Sequence, residues 1–311
     1  MELVRGLYNL RGDRHGCVAT IGNFDGVHRG HQAVIEQCVE QAAELALPVT
    51  LITFEPQPRE YFHPQSAPAR LTRLREKIRA LDEYGVGRML CLPFNDHLAG
   101  LDPETFIREI LVDGAGVKHL VVGDDFRFGK DRAGNFSLLQ QAGARHGFEV
   151  ASMHTYCLGE GRVSSTRVRD ALLRGDLDAA ATLLGRPYAM SGRVAHGDKR
   201  GRTIGFPTAN VFLHRAASPL AGVFAVQMDG VAAQPVTGVA NVGSRPTVDG
   251  TSALLEVHLF DFDRDIYGKH VQVSFMKKIR DERRFESFEA LREQIQADAR
   301  QAKDFFRSVP G

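Results

Sequence analysis

The chain has 311 residues, 43% hydrophobic and 25% charged, enough apolar side chains for one large core or two ordinary ones, and two domains are the better expectation. Its 39 Lys and Arg nearly balance 38 Asp and Glu, which removes any global attraction to nucleic acid or an anionic membrane and leaves small anionic ligands open. No apolar run approaches the ~20 residues that span a bilayer, and the polar opening MELVRGLYNLRGDRHG is not a secretory signal, so a cytoplasmic location is expected.

From Cys17 to about residue 153, the apolar runs CVATI, PVTLITF, RMLCLPF, HLVVG and FEVASM alternate with amphipathic stretches. That order predicts an α/β unit with a parallel sheet. One helix is predicted from about Thr72, a candidate N-cap, to Gly85, and another from Asp102, with Pro103 in its first turn, to near Gly114. Two short helices, near Thr166–Arg174 and Asp178–Leu184, close this unit before the break at Gly185-Arg186-Pro187. The four cysteines, Cys17, Cys38, Cys91 and Cys157, form no CxxC pair, which argues against a zinc site and leaves buried reduced thiols as the expectation.

The sharpest local signal follows the first of these runs. In GNFDGVHRGHQAVI, Gly22, Phe24 and Gly30 accompany His28 and His31 where a strand turns into a helix. Such a turn aims helix N-terminal N–H groups at a phosphate, and two imidazoles three residues apart both reach it. Metal binding by the pair is the weaker alternative, because no third ligand stands at suitable spacing. Further on come Gly123-Asp124-Asp125-Phe126-Arg127-Phe128-Gly129 and Arg162-Val163-Ser164-Ser165-Thr166-Arg167-Val168-Arg169. Read separately, Ser164 to Thr166 is an ordinary N-cap and Asp125 a loop aspartate that serves either a ligand or nearby backbone N–H groups.

Together these segments resemble the FMN adenylyltransferase module of bacterial FAD synthetases, over residues 1 to about 186. The resemblance implies a Rossmann-like HxGH nucleotidyltransferase fold. It also implies ATP contacts from Gly22, Phe24, Gly30, Arg162, Ser165, Thr166 and Arg169, flavin contact from Asp125, and transition-state roles for His28 and His31.

Beyond residue 187 the texture changes to short alternating runs, GVFAVQM, VTGVANV, LLEVHLF and HVQVSFM, which predict an antiparallel barrel or sandwich. Phe288, Leu291, Ile295 and Ala299 recur at helical spacing near the end. The segment GRVAHGDKRGRTIGFPTANV interleaves glycines with Lys199, Arg200 and Arg202 but lacks the GK[ST] ending of a P-loop. In an extended Phe206–Asn210, Thr208 and Asn210 point to one side, as Glu256 and His258 do in LLEVHLF. A hydroxyl beside an amide oxygen suits Mg²⁺, and Glu256 reads either as a general base or as a surface strand residue.

This half, residues 187–311, resembles the riboflavin kinase domain, a six-stranded Greek-key barrel with a C-terminal helix. The resemblance implies Mg²⁺-ATP held by Thr208 and Asn210, with Gly197, Lys199 and Gly201 also on ATP. Glu256 becomes the base on the ribityl hydroxyl, and Arg280 and Glu282 lie near the flavin with Phe285. The two resemblances together imply a flavin-cofactor enzyme with riboflavin, FMN and ATP as substrates, and no nucleic acid or membrane partner. A transferase for another phosphorylated nucleoside and a non-catalytic flavin store are the rivals. Oligomeric state is not legible.

Overall fold

The computed structural model describes residues 1–10, 16–153, 155–159, 161–195, 206–215, 217–247 and 250–308; at 244–247 and 250–252 it describes backbone alone. The chain divides into two compact units, Met1–Pro68 with Arg73–Ser164, and Ala69–Thr72 with Ser165–Gly311.

The first unit is a six-stranded parallel sheet of β1 (Glu2–Arg5), β2 (Cys17–Ile21), β3 (Val49–Glu55), β4 (Arg88–Pro93), β5 (Val117–Gly123) and β6 (Glu149–Met153). The strand order is β1-β4-β3-β2-β5-β6. Five strands are the five apolar runs. The sixth, β1, was not legible: this four-residue edge strand buries only Val4, so its alternation is almost silent. Helix α1 (Arg29–Leu45) follows β2, α2 (Pro58–Phe62) follows β3, and α3 (Leu74–Asp82) leads to β4. Helices α4 (Asp96–Gly100), α5 (Pro103–Phe106) and α6 (Phe136–His146) complete the layers. Asp102 caps α5 through the Thr105 N–H at 3.0 Å, as its position before Pro103 predicts. The start of α3 differs from expectation. Arg73 rather than Thr72 is the N-cap, because Glu76 reaches back to the Arg73 N–H at 2.6 Å.

Two apolar clusters cover the two faces of the sheet. One contains Cys17, Ile52, Leu90 and Leu120; the other contains Val18, Leu51, Met89 and Val121 with Phe24, Val27, Ile35 and Leu81. Neighbours along β2, β3, β4 and β5 thus point to opposite, equally buried layers, which is why these strands read as unbroken apolar runs. The sequence order reverses at β2, whose neighbours are β3 on one side and β5 on the other. In such sheets ligands bind outside the carboxyl ends of the strands at that reversal.

The second unit contains helices α7 (Ser165–Arg174) and α8 (Leu177–Leu184), which stops at Gly185 in the left-handed region (φ 78°). A closed antiparallel barrel follows, formed by β9 (Ala189–Ala195), β10 (Ala209–Phe212), β11 (Gly222–Asp229), β12 (Val236–Thr247), β13 (Gly250–Leu259) and β14 (His270–Arg280). Helix α9 (Phe288–Ser308) ends it. Inward residues such as Phe224, Val242, Leu255, Val257 and Phe275 fill the barrel. On the outer face, Val223, Ala225 and Val239 pack with Ala299 and Ala302 of α9. Closure leaves no exposed strand edge.

Of the cysteines, Cys17, Cys38 and Cys91 are buried thiols in no disulfide, and burial pushes the Cys38 thiol up to about 12. Cys157 departs from the expectation: it lies exposed on the short hairpin strand β7 (Cys157–Leu158), where too little chain surrounds it to form a core. Among the described residues no helix is long and apolar enough to cross a membrane.

Candidate active sites

The chain leaving β2 makes a turn in which Phe24 (φ 47°) and Val27 (φ 44°) both take left-handed backbone angles around Gly26 (φ 89°). A β-branched residue rarely accepts this conformation. Complete burial of the Phe24 and Val27 side chains offsets the cost and fixes the turn. His28 then caps α1: its Nδ1 accepts from the His31 N–H at 3.3 Å, so a neutral His28 carries its proton on Nε2. The His28 and His31 rings stack with centroids 3.6 Å apart and planes 14° from parallel, and Phe24 lies 4.8 Å from His31 on the other side. Space around this stack is tight. A Cβ on Gly22 would lie 3.1 Å from the Phe24 ring, and one on Gly30 would lie 3.3 Å from the His28 ring and 3.4 Å from the Val163 carbonyl.

The contact between Gly30 and Val163 brings the Arg162–Ser164 segment onto the HxGH turn. Arg162 donates to both carboxylate oxygens of Asp125, at 2.5 and 3.1 Å. This pair joins two segments that had been singled out separately, and the Asp125 carboxylate takes a backbone N–H as well as the guanidinium. The guanidinium holds the Asp125 carboxyl below its usual range, and the carboxylate in turn raises Arg162. Burial, followed by the charges of His28, Lys77 and Arg162, pushes His31 well below the usual imidazole value, so its ring is neutral. Among the described residues, His31 Nδ1 is sealed from solvent with no hydrogen-bond partner, an arrangement suited to an incoming polar ligand.

Lys77, a buried lysine whose charge acts on His31, was not singled out. The visible signal is a lysine inside the apolar stripe of α3, Leu74, Lys77, Ile78, Leu81. The aromatic cluster beyond β3 was missed too: Phe62 and Phe94 meet edge to face at 5.6 Å, and Phe62 remains exposed.

Ser165 begins α7, as a Ser-Ser-Thr cap predicts; Thr166 is exposed, and Arg169 donates from Nε to the Ala69 carbonyl at 2.6 Å. These three residues fall in the second compact unit, whereas Arg162 falls in the first.

On the barrel, Asn210 of β10 is the direct cross-strand partner of Glu256 on β13, which is itself paired with Asn241 on β12. Directly opposite residues share a face with Cβ atoms roughly 5 Å apart, so Asn210, Glu256 and Asn241 form one row. The row continues to Val223, which packs in the cluster against α9 and thereby sets the row on the outer face. His258 Nδ1 lies 2.9 Å from the Pro207 carbonyl and pins the PTAN segment to β13. Thr208 lines a cavity of about 420 Å³ together with Val194, Pro207, Leu259 and the loop from Phe262 to Tyr267. The role of that loop as a wall is visible only in three dimensions.

Thr208, Asn210 and Glu256 supply hard oxygen donors. Among the described residues no three His, Cys, Asp or Glu side chains stand together as a metal cage. Oxygen donors of this kind fit Mg²⁺, which commonly takes one or two protein oxygens and completes its shell from water and substrate phosphates.

Arg280 is engaged by Asp298 of α9 through both carboxylate oxygens, with contacts of 2.8 to 3.0 Å, and its guanidinium lies over the Phe285 ring. A Cβ on Gly243 would come within 2.3 Å of the Glu282 carboxylate, so Glu282 reaches over β12. Gly197, Lys199 and Gly201 lie outside the described residues.

Comparison with known proteins divides the chain in the same order. Residues 10–167 match the family model described as FAD synthetase, and residues 184–306 match the one described as riboflavin kinase. Two proteins named bifunctional riboflavin kinase/FMN adenylyltransferase are similar over nearly their full length. That of Escherichia coli (strain K12) is 53% identical over 98% of both chains, and that of Pseudomonas fluorescens is 54% identical over 97% of both. A crystal structure titled macrolide-efflux protein from Streptococcus pneumoniae superposes with a TM-score of 0.82 at 31% identity, covering all of both chains. With both domains matched in sequence order and over half the residues shared with full-length relatives, the chain belongs to the bifunctional riboflavin kinase/FMN adenylyltransferase family.

Proposed function

We propose that the two domains of this bifunctional riboflavin kinase and FMN adenylyltransferase act in succession in the cytoplasm, with the boundary at residues 186 and 187. The barrel transfers the γ-phosphoryl of ATP to the riboflavin 5′-hydroxyl, releasing ADP. The α/β domain then joins the FMN phosphate to the α-phosphate of a second ATP, releasing pyrophosphate. The partners are small molecules, without nucleic acid or membrane. The observation that carries the division of labour is the cross-strand pairing of Glu256 with Asn210 on the barrel, separate in the chain from the stacked His28–His31 turn.

For the kinase step, Glu256 accepts the ribityl hydroxyl proton as the oxygen attacks, and Asn210 beside it with Thr208 at the cavity wall orients the ATP phosphates. Mg²⁺, when bound, neutralises charge on the transferring phosphates, and Thr208 and Asn210 are the residues that would hold it. Gly197, Lys199 and Gly201 are assigned to the same ATP. Glu282 is assigned to the flavin directly. Arg280, whose guanidinium is held by Asp298, orders the loop carrying Phe285 beside it.

For the adenylyl step, both reacting groups are anionic, so the protein's work is positioning and charge neutralisation. Neutral His31 and His28 at the start of α1 hydrogen-bond the α-phosphate as its charge grows, and Gly22, Phe24 and Gly30 shape the approach. Arg162, steadied by Asp125, faces the same anion, and Asp125 contacts the flavin nucleotide. Ser165 and Thr166 offer hydroxyls at the α7 N-terminus. Arg169 has five N–H donors, and fixing its Nε on Ala69 sets the guanidinium plane for a phosphate.

The test is purified protein given riboflavin, ATP and Mg²⁺, with FMN and FAD followed separately. FMN should appear first and FAD after it, both abolished by chelation of Mg²⁺. FMN bound tightly but never formed would favour the flavin store instead.

A further inference from the structure

Strand β10 begins at Ala209, so Thr208 and Asn210 are held in different ways. Asn210 lies inside the sheet, paired with Glu256 of β13 on one side and Ala195 of β9 on the other. Thr208 lies just before the strand. The β10–β13 register ends at the pair Ala209 and Val257, and the next residue along β13 is His258. Strand alternation therefore does not reach Thr208, and its direction is set by other means.

Pro207 and His258 supply them. The proline ring locks φ at about −65°, which leaves ψ as the soft torsion between Pro207 and Thr208. His258 Nδ1 stands 2.9 Å from the Pro207 carbonyl oxygen, which can only accept, so Nδ1 carries the proton. That carbonyl shares a planar peptide unit with the N and Cα of Thr208, and the hydrogen bond thus fixes the plane that carries Thr208. The donor has little freedom of its own. The His258 backbone is paired with Val239 of β12. Its ring meets Phe206 edge to face at 5.1 Å and Phe260 at 5.9 Å, and both phenylalanines pack in the cluster that includes Ala299 and Ala302 of α9. Thr208 lines the cavity of about 420 Å³. A rotation of its peptide plane would shift the hydroxyl relative to Asn210.

We propose that His258 is a positioning residue of the kinase site. Its Nδ1–H, bonded to the Pro207 carbonyl, holds Thr208 where the hydroxyl and the Asn210 amide serve the same metal-bound ATP. The inference rests on the reading of Thr208 and Asn210 as the residues of Mg²⁺-ATP. His258 acts through the Pro207–Thr208 peptide and does not touch the nucleotide.

The test uses the full chain. His258→Phe keeps an aromatic ring beside Phe206 and Phe260 and removes the donor, whereas His258→Asn removes the ring and returns an N–H close to the place of Nδ1. Thr208→Val tests the underlying reading, and FMN adenylylation in the same preparation measures folding. His258→Phe should raise KM for ATP and the Mg²⁺ concentration for half-maximal phosphorylation by about three- to tenfold, the scale of one lost hydrogen bond. KM for riboflavin and the adenylylation rate should stay within about twofold. His258→Asn should recover most of the loss, and Thr208→Val should show the same ATP and Mg²⁺ signature. A second readout needs no turnover. Nitrogen NMR of the histidine-labelled chain without nucleotide should show the His258 ring, identified by its absence in either variant, protonated at Nδ1. A ring protonated only at Nε2 overturns the proposal. So does His258→Phe with the parent KM for ATP and the parent Mg²⁺ requirement while Thr208→Val raises both, in which case the reading of Thr208 stands. Equal losses in His258→Phe and His258→Asn, extending to riboflavin as much as to ATP, mark the ring as packing alone and overturn it too. If Thr208→Val leaves the ATP and Mg²⁺ dependence unchanged, the assignment of Thr208 falls and the proposal with it.

Discussion

Around the HxGH turn the polar groups are buried or tied to one another: His31 is sealed against His28, Lys77 is dry, and Arg162 is held by Asp125. Along the outer face of the barrel, Asn210, Glu256 and Asn241 stand in one partly exposed row. In the proposed function both regions handle ATP phosphates, and the difference lies in how those phosphates are held. Donors fixed by the fold need no reorganisation when the reaction occurs. A polar row on a strand face costs the fold little, and Mg²⁺ bound with the substrate would supply its positive charge.

The comparison breaks most readily at Glu256. Glu256→Gln keeps the strand pairing and removes the base, so riboflavin phosphorylation should fall by about 10²–10⁴-fold while FMN adenylylation stays near the parent rate. Paired turnover of both reactions in one preparation decides it, and an unchanged kinase rate removes Glu256 from the mechanism.

The mirror experiment is His31→Ala, which should cost adenylylation about 10²–10³-fold and spare the kinase. Acidity sharpens it. With His31 held well below its usual value, the parent rate should show no loss centred near pH 6.5 that is due to this ring. The fold favours the neutral form, so the contribution of His31 to stability is present above about pH 6.5 and is lost as pH falls from there toward the folded value. A rate profile with a midpoint near 6.5 that disappears in His31→Ala would place an ordinary histidine at the site.

The smallest expected effect concerns the independence of the second region. Tyr188 donates to the Leu71 carbonyl at 3.0 Å and Arg215 to the Arg70 carbonyl at 2.7 Å, both side chains being buried. A fragment of about residues 187–311 lacks those carbonyls. It should phosphorylate riboflavin with undiminished need for Mg²⁺ and make no FAD. Its stability should increase by about 1–3 kcal/mol when residues 69–72 are restored to the barrel through a flexible linker, because two buried donors regain their acceptors. Denaturant unfolding of the two fragments measures the difference; equal midpoints would make 69–72 a passive neighbour.

Much of this was written locally. The HxGH turn sits between β2 and α1 because a buried β-rich run ends at Gly22 and a capped amphipathic segment begins at His28. Likewise, alternation alone put Glu256 with His258 on one face of β13, since side-chain direction in a strand repeats every two residues. What a few consecutive residues decide, the sequence by itself determined: element type, facing, and the two family motifs. Only the tertiary structure set Glu256 opposite Asn210, joined Asp125 to Arg162, and moved Ala69–Thr72 into the compact unit of the barrel. Those pairings join segments far apart in the chain. Their register is selected by how whole layers bury their apolar faces, a condition that no short stretch of residues carries.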